Sequence, residues 1–247
     1  MGKLVELLNC PTRVVAVYRT EEPPEGERAS SDIHCIIGSL LMPAAKDGKT
    51  MYAEKKDIGC AGAFSGLGFG GDPTREDRYV AYSTGNDKRT GRHYFKDPET
   101  ARKAMDQVPV YGDGSGYIVF QPIEDALRIG TRIETVVFVV DPIRLAALSA
   151  LAGYDRESVD SNYVRMVNAF SCEEIYALPR SEGAKEEPRA IIGLTEFYTR
   201  RYCKPEEMTF AVPYSMFRRM DDNAEESFLN TDFWPEKPEK RCDYCGA

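Results

Sequence analysis

The chain has 247 residues, 42% of them hydrophobic and 29% charged, and a formal net charge of −8. These are the proportions of a globular protein with room for one large domain or two small ones, and with a core that needs no covalent staples. The acidic balance argues against a generic nucleic-acid surface, and no run approaches the roughly 18 apolar residues of a membrane span.

Residues 1–10 are a short amphipathic stretch that lacks the basic region and apolar core of a signal peptide. The start after Gly2 lacks the Ser/Thr of a myristoylation site, and the C-terminus is not a prenylation box, so the cytoplasm is the expected location. Residues 13–18 read as a strand and 21–31 as a Pro/Gly/charged loop. Asp32 stands as an N-cap before Ile33, Ile36, Ile37, Leu40, Leu41 and Ala44, which recur at helical spacing. A turn at 46–49 leads into a short strand at 50–53. Residues 60–69, rich in small side chains, suit either a tightly packed helix or a Gly-rich loop. Residues 78–83 and 91–95 read as a polar hairpin turning around Gly85-Asn86.

Asp97-Pro98-Glu99 opens a helix to about Val108, with proline at its first position, and 117–121 is a strand. Residues 135–140 are the most apolar run and are predicted to be a central strand. Asp141-Pro142 opens a second helix ending near Gly153, and 162–177 are a third that carries Cys172. Strands at 189–194 and 208–212 follow, then a short helix at 213–220. The tail, 221–247, is acidic and then rich in Pro, Lys and Cys, and is expected to be loosely ordered. The mixture predicts an α+β (mixed α/β) fold, a single domain over 1–220 with sheets flanked by helices.

A faint internal repeat divides that domain into halves at about 8–122 and 133–220. In each, a strand is followed by a cysteine-bearing segment, a proline, a Gly/charged turn and a second strand. Cys35 precedes Pro43 and Gly48; Cys172 precedes Pro179 and Gly183. Cys60 follows Cys35 at a spacing close to that of Glu196 after Cys172. Such a repeat places a site between the halves.

Seven cysteines, an odd number, read as free thiols, metal ligands or redox groups rather than a disulfide framework. Taken singly, a buried cysteine is as well explained as a small hydrophobe. On a regular helix Cys35 falls opposite the apolar stripe, beside Gly38, Ser39 and Met42, a face suited to packing against another element or a cofactor. Gly59 and Gly62 flank Cys60; if a helix starts there, its free N–H groups would stabilise a thiolate. The run from Gly66 to Gly71 lacks the Gly-Lys-Ser/Thr ending of a phosphate loop. His34 and His93 are too few for a histidine metal site, and His34 beside Cys35 points some 100° away from it on a helix. Cys242 and Cys245 make half of a zinc knuckle.

The order of several segments resembles the uncharacterised ArCR family (domain of unknown function, number one-six-nine) over about residues 8–220. These are 14–17 with Pro23-Pro24-Glu25-Gly26, His34-Cys35, and 58–62 with Leu67-Gly68-Phe69. Then come 99–109, 117–122, 136–141, Arg200-Arg201, and 206 to Pro213-Tyr214. The resemblance implies cysteines at the positions of Cys35, Cys60 and Cys172. It implies a further one in a Leu-Gly-Cys segment that matches Thr195 or Glu196 here, and a proline where this chain has Ala61. It implies no activity.

Three functional readings follow, from different classes. In the first, the protein binds a metal, an iron–sulfur cluster or zinc among them, or a related cofactor through Cys35, Cys60 and Cys172. Glu196 is the fourth ligand, or Cys203 substitutes, and Arg200 and Arg201 hold a small anionic ligand. In the alternative, Cys60 is the nucleophile of a thiol-dependent enzyme. A third reading, a non-catalytic interaction protein, leaves the cysteines to packing alone. A homodimer is compatible with the abundance of tyrosine; a membrane or nucleic-acid partner is not expected.

Overall fold

The computed structural model describes residues 2–30, 35–85, 91–112, 115–157, 159, 163–232 and 234. The predicted N-cap Asp32, His34, Asn86 of the predicted hairpin turn, Asn162, and Cys242 and Cys245 lie outside the described residues.

Eight strands form one mixed sheet: β1 Val15–Thr20, β2 Glu27–Arg28, β3 Met51–Glu54, β4 Tyr117–Pro122, β5 Thr135–Val140, β6 Val164–Met166, β7 Ala190–Gly193 and β8 Met208–Pro213. Their order is β2-β3-β4-β1-β5-β8-β7-β6. Both edges are parallel pairs, β2 with β3 and β6 with β7, and every other pairing is antiparallel. Read inward from either edge, the second, third, fourth and first strands of a set of four follow the same course. The central pair β1–β5 joins the two sets, with Ala16 opposite Val136.

β5 is buried along its whole length, as expected of its unbroken Val/Phe run. Alternation sends its side chains to two separate cores. Val136, Phe138 and Val140 face helices α1 Lys3–Leu8, α6 Ile123–Ile129, α7 Pro142–Ala152 and α9 Tyr214–Ala224. Val137 and Val139 face the opposite layer, which carries Cys35, Cys172 and α3 Ala61–Gly66. All three cysteine segments singled out by sequence therefore lie over one face of the sheet. Cys10 packs in the other layer.

The predicted helix around residues 36–44 is present but irregular. A five-residue π turn, Ile37–Leu41, leads into α2 Met42–Asp47. Cys35 precedes it rather than riding on it, and the small face packs against protein: a Cβ on Gly38 would lie 2.5 Å from the Tyr202 ring. The segment at 60–69 is both of its alternatives in turn. α3 is a short helix, followed by left-handed glycines at 68 and 70.

Three expectations are corrected. Residues 78–83 are not a hairpin strand but lie in α4 Pro73–Thr84. Asp72-Pro73 is a third Asp-Pro helix start: Asp72 Oδ1 accepts the Thr74 N–H at 3.0 Å, and Tyr79, Val80, Ser83 and Thr84 bury one face. Nor do residues 163–176, the described part of the predicted third helix before α8, form a helix. Val164–Met166 gains a parallel ladder on β7, Ala169 takes a left-handed φ of 61°, and Cys172 sits in a turn before α8 Ala177–Glu182. Finally, the tail is packed as far as it is described. α9 runs on to Ala224, Leu229 is buried, and Trp234 donates its indole N–H to the Leu7 carbonyl at 3.1 Å. The helix α5 Pro98–Met105 starts as expected, with Asp97 accepting the Thr100 N–H at 2.8 Å.

Candidate functional site

A cavity of about 280 Å³ opens over the sheet face that carries the cysteine segments. Cys35, Cys60, Cys172 and Glu196 all line it, so the four residues expected to share a site do converge. Arg200 and Arg201 do not line it. Arg200 is occupied with main-chain carbonyls, among them Leu194 at 3.5 Å and Lys204 at 3.2 Å, and so braces the loop before β8. Arg201 lies 3.4 Å from the Tyr198 ring centroid and donates to the Tyr198 carbonyl at 3.0 Å. Cys203 also stands off, its thiol directed at the Thr199 carbonyl at 3.7 Å, and burial pushes it up to about 11.

Close approach of backbones brings the sulfurs together. A Cβ on Gly66 would lie 2.9 Å from the Cys172 carbonyl carbon and 3.0 Å from the Glu173 nitrogen. Only glycine at this position lets α3 rest directly on the Cys172 turn. Gly66→Ala is expected to cost about 1–3 kcal/mol through overpacking, read by urea denaturation. The Cys172 turn is tied in turn to the loop bearing Glu196. Thr195 donates to the Val167 carbonyl at 2.6 Å and accepts the Ala169 N–H at 3.1 Å, and Ser171 and Thr199 hydroxyls meet at 3.2 Å. Ala169 and Leu194, one on each loop, both adopt left-handed backbone, a strained conformation that this cross-bracing maintains.

The two thiols of Cys60 and Cys172 interact directly. The Cys172 S–H donates to the Cys60 sulfur, and this lowers the Cys60 thiol to about 6 against the opposing effect of burial. The N–H groups of Ala63 and Gly62 and the charge of Arg92 act in the same direction. The same hydrogen bond, with burial, holds the Cys172 proton on well above the ordinary thiol range. Cys35, also buried, is raised chiefly by desolvation.

Arg92 was not singled out by sequence. Its guanidinium lies 3.5 Å from the Tyr198 ring centroid and 4.9 Å from that of Tyr82, and it forms an ion pair with Glu196. Burial raises Glu196 while Arg92 opposes it. Arg78 stands exposed at the cavity wall with no ion pair among the described residues. Glu173, the neighbour of Cys172, is 4% exposed and pushed well above the usual carboxyl range by burial, with the nearby Cys60 and Glu196 adding to the shift. Among the described residues no group of three or more His, Cys, Asp or Glu is arranged to hold a metal ion. Glu196 faces Arg92, and two of the three sulfurs face each other.

Among the described residues no helix is long and apolar enough to cross a membrane. The chain belongs to the family described as "Uncharacterised ArCR", whose model matches residues 3–223, a span that includes the whole sheet and every residue of the cavity. No curated protein and no solved structure matches the chain.

Proposed function

We propose, taking membership of this family as the premise, that the protein is a thiol-dependent enzyme with Cys60 as nucleophile. Cys172 is the thiol that stabilises the Cys60 thiolate, and the substrate is a small molecule with an anionic group. The observation that carries this reading is one cavity lined by Cys60, Cys172 and two arginines, in which the Cys172 thiol lowers that of Cys60. A thiol lowered to about 6 is largely thiolate at neutral pH, the form that attacks electrophiles. Arg78 at the wall and Arg92 within supply the positive charge for an anionic substrate. Site-resolved alkylation with iodoacetamide at pH 7 is expected to modify Cys60 at least about tenfold faster than Cys35, Cys172 or Cys203. Uniformly slow labelling contradicts the assignment.

A second reading has one observation in its favour: three cysteines from separate segments line one cavity with Glu196. Thiolates so gathered suit a soft metal ion or an iron–sulfur cluster. Cys60 and Cys172 would then exchange their mutual hydrogen bond for the metal, and Glu196 would leave Arg92. Elemental analysis of protein purified without oxygen separates the two. Iron with sulfide, or about one equivalent of zinc lost in Cys60→Ala, favours the second reading.

A further inference from the structure

A second cavity, of about 260 Å³, adjoins the first. Gly62, Tyr79 and Glu173 line both, so these three residues form the shared wall. The remaining lining has two characters. Met105, Val108, Val110 and Phe170 give it apolar sides, and Val110 is exposed at 55%. Glu76 and Asp106 add carboxylates, and among the described residues no Lys or Arg lines it. Among the described residues neither of these acids, nor Glu173, is ion-paired. Glu173 is the decisive group. It is a buried carboxyl, 4% exposed, whose hydrogen bond comes from its own main-chain N–H, and it lies at the junction of the two cavities.

A buried carboxyl whose hydrogen bond comes from its own main-chain N–H keeps acceptor capacity for a ligand donor. Apolar walls that carry three acids select an alkyl or aryl body that bears an ammonium group. We infer that the second cavity is a binding subsite for the apolar, ammonium-bearing end of a ligand, with Glu173 as its counter-ion, and that such a ligand reaches the thiol cavity past Gly62. The passage depends on the absence of a side chain. A Cβ on Gly62 would stand 3.4 Å from Glu173 Oε1 and 3.6 Å from the Tyr79 ring, room for a methyl group but not for a larger one. The pairing of a cationic end here with Arg78 and Arg92 in the first cavity points to a zwitterionic substrate. The connection between the cavities rests on the thiol reading; the ammonium subsite does not.

Two measurements on the full chain test this. Titration calorimetry with n-pentylamine is expected to show binding, with n-pentanoate showing none, and Glu173→Gln is expected to weaken pentylamine about tenfold or more. Equal binding of amine and carboxylate, or no loss in Glu173→Gln, overturns the subsite. The second measurement is alkylation of Cys60 by iodoacetamides bearing an aminopentyl or a plain pentyl chain. The Cys60 thiolate displaces iodide, forming a thioether. The aminopentyl reagent is expected to react about tenfold faster, an advantage kept in Gly62→Ala and lost in Gly62→Leu and Glu173→Gln. Fast reaction with no difference between the chains retains Cys60 as nucleophile and overturns the connection. Pentylamine binding with an inert Cys60 retains the subsite and overturns the thiol reading.

Discussion

Replacing Cys172 by alanine is expected to slow the alkylation of Cys60 at pH 7 by about tenfold. The hydrogen bond from Cys172 is the largest cause of the lowered Cys60 thiol. Without it, the N–H groups of Ala63 and Gly62 and the charge of Arg92 are left to oppose burial, and the titration moves up from about 6. A rise of about two units would take the thiolate from roughly nine-tenths to one-tenth of the population at pH 7. Cys172→Ser keeps a donor of similar reach and is expected to restore much of the rate. A merely structural role for Cys172 would affect both variants through stability and leave the midpoint of the Cys60 pH profile in place. An unchanged midpoint in Cys172→Ala would therefore remove the thiol pair from the account.

The second large effect concerns Glu174, which is fully buried on the other side of the Cys172 turn. Its Oε1 accepts the Leu194 N–H, while among the described residues Oε2 and the nearby Thr209 hydroxyl are both buried with no hydrogen-bond partner. A Cβ on Gly193 would collide with the carboxyl group, so the acid fills the space that glycine leaves. Burial pushes Glu174 up to about 8, above its ordinary value of 4.5. Between these two values the folded protein holds a proton that the unfolded chain has released. Stability from this group is thus fully present below about pH 4.5 and is lost as pH rises through about 8. Glu174→Gln removes the titration, keeps an acceptor for Leu194 and gives an N–H₂ that can donate to Thr209. It is expected to be more stable than the native protein at pH 8. The difference between the two proteins should grow by on the order of 3 kcal/mol from pH 5 to pH 8. Urea midpoints measured across that range would decide it, and parallel pH profiles would contradict the assignment.

The parts of this fold that were legible in the sequence are those where local chemistry and tertiary context agree. The apolar run of β5 has one reading, and it is the central strand. Asp97-Pro98 and Asp141-Pro142 mark helix starts with proline at the first position and an aspartate that accepts an N–H, and both helices begin there. The same signal at Asp72-Pro73 was available. The residues that follow it are polar and rich in turn formers, because α4 exposes most of its surface and buries only a narrow face. Residues 164–166 failed for the opposite reason: three residues carry no period, and an edge ladder decides their conformation.

The site divides in the same way. Cysteines beside small residues announced Cys35, Cys60 and Cys172, because close backbone approach requires glycine at 66. Glu196 was placed by the repeat spacing and does line the cavity. Arg92, Tyr82 and Tyr198 were not legible, since their stacking joins α4 to a loop more than a hundred residues away. Arg200 and Arg201 stand in the sequence as a basic pair. A pair of arginines in sequence says nothing of which carbonyls lie nearby, and the carbonyls around Arg200 occupy it.

The proposed chemistry requires Cys60 to be a thiolate at neutral pH because Cys172 donates to it. The most direct measurement is the rate of Cys60 alkylation in the full chain as a function of pH, resolved by mass spectrometry of the peptide carrying Cys60. A single rise with a midpoint of about 6 is expected. A midpoint at the ordinary thiol value of 9.0 or above would contradict it, and would leave Cys60 as a packed thiol in a cavity that serves some other group.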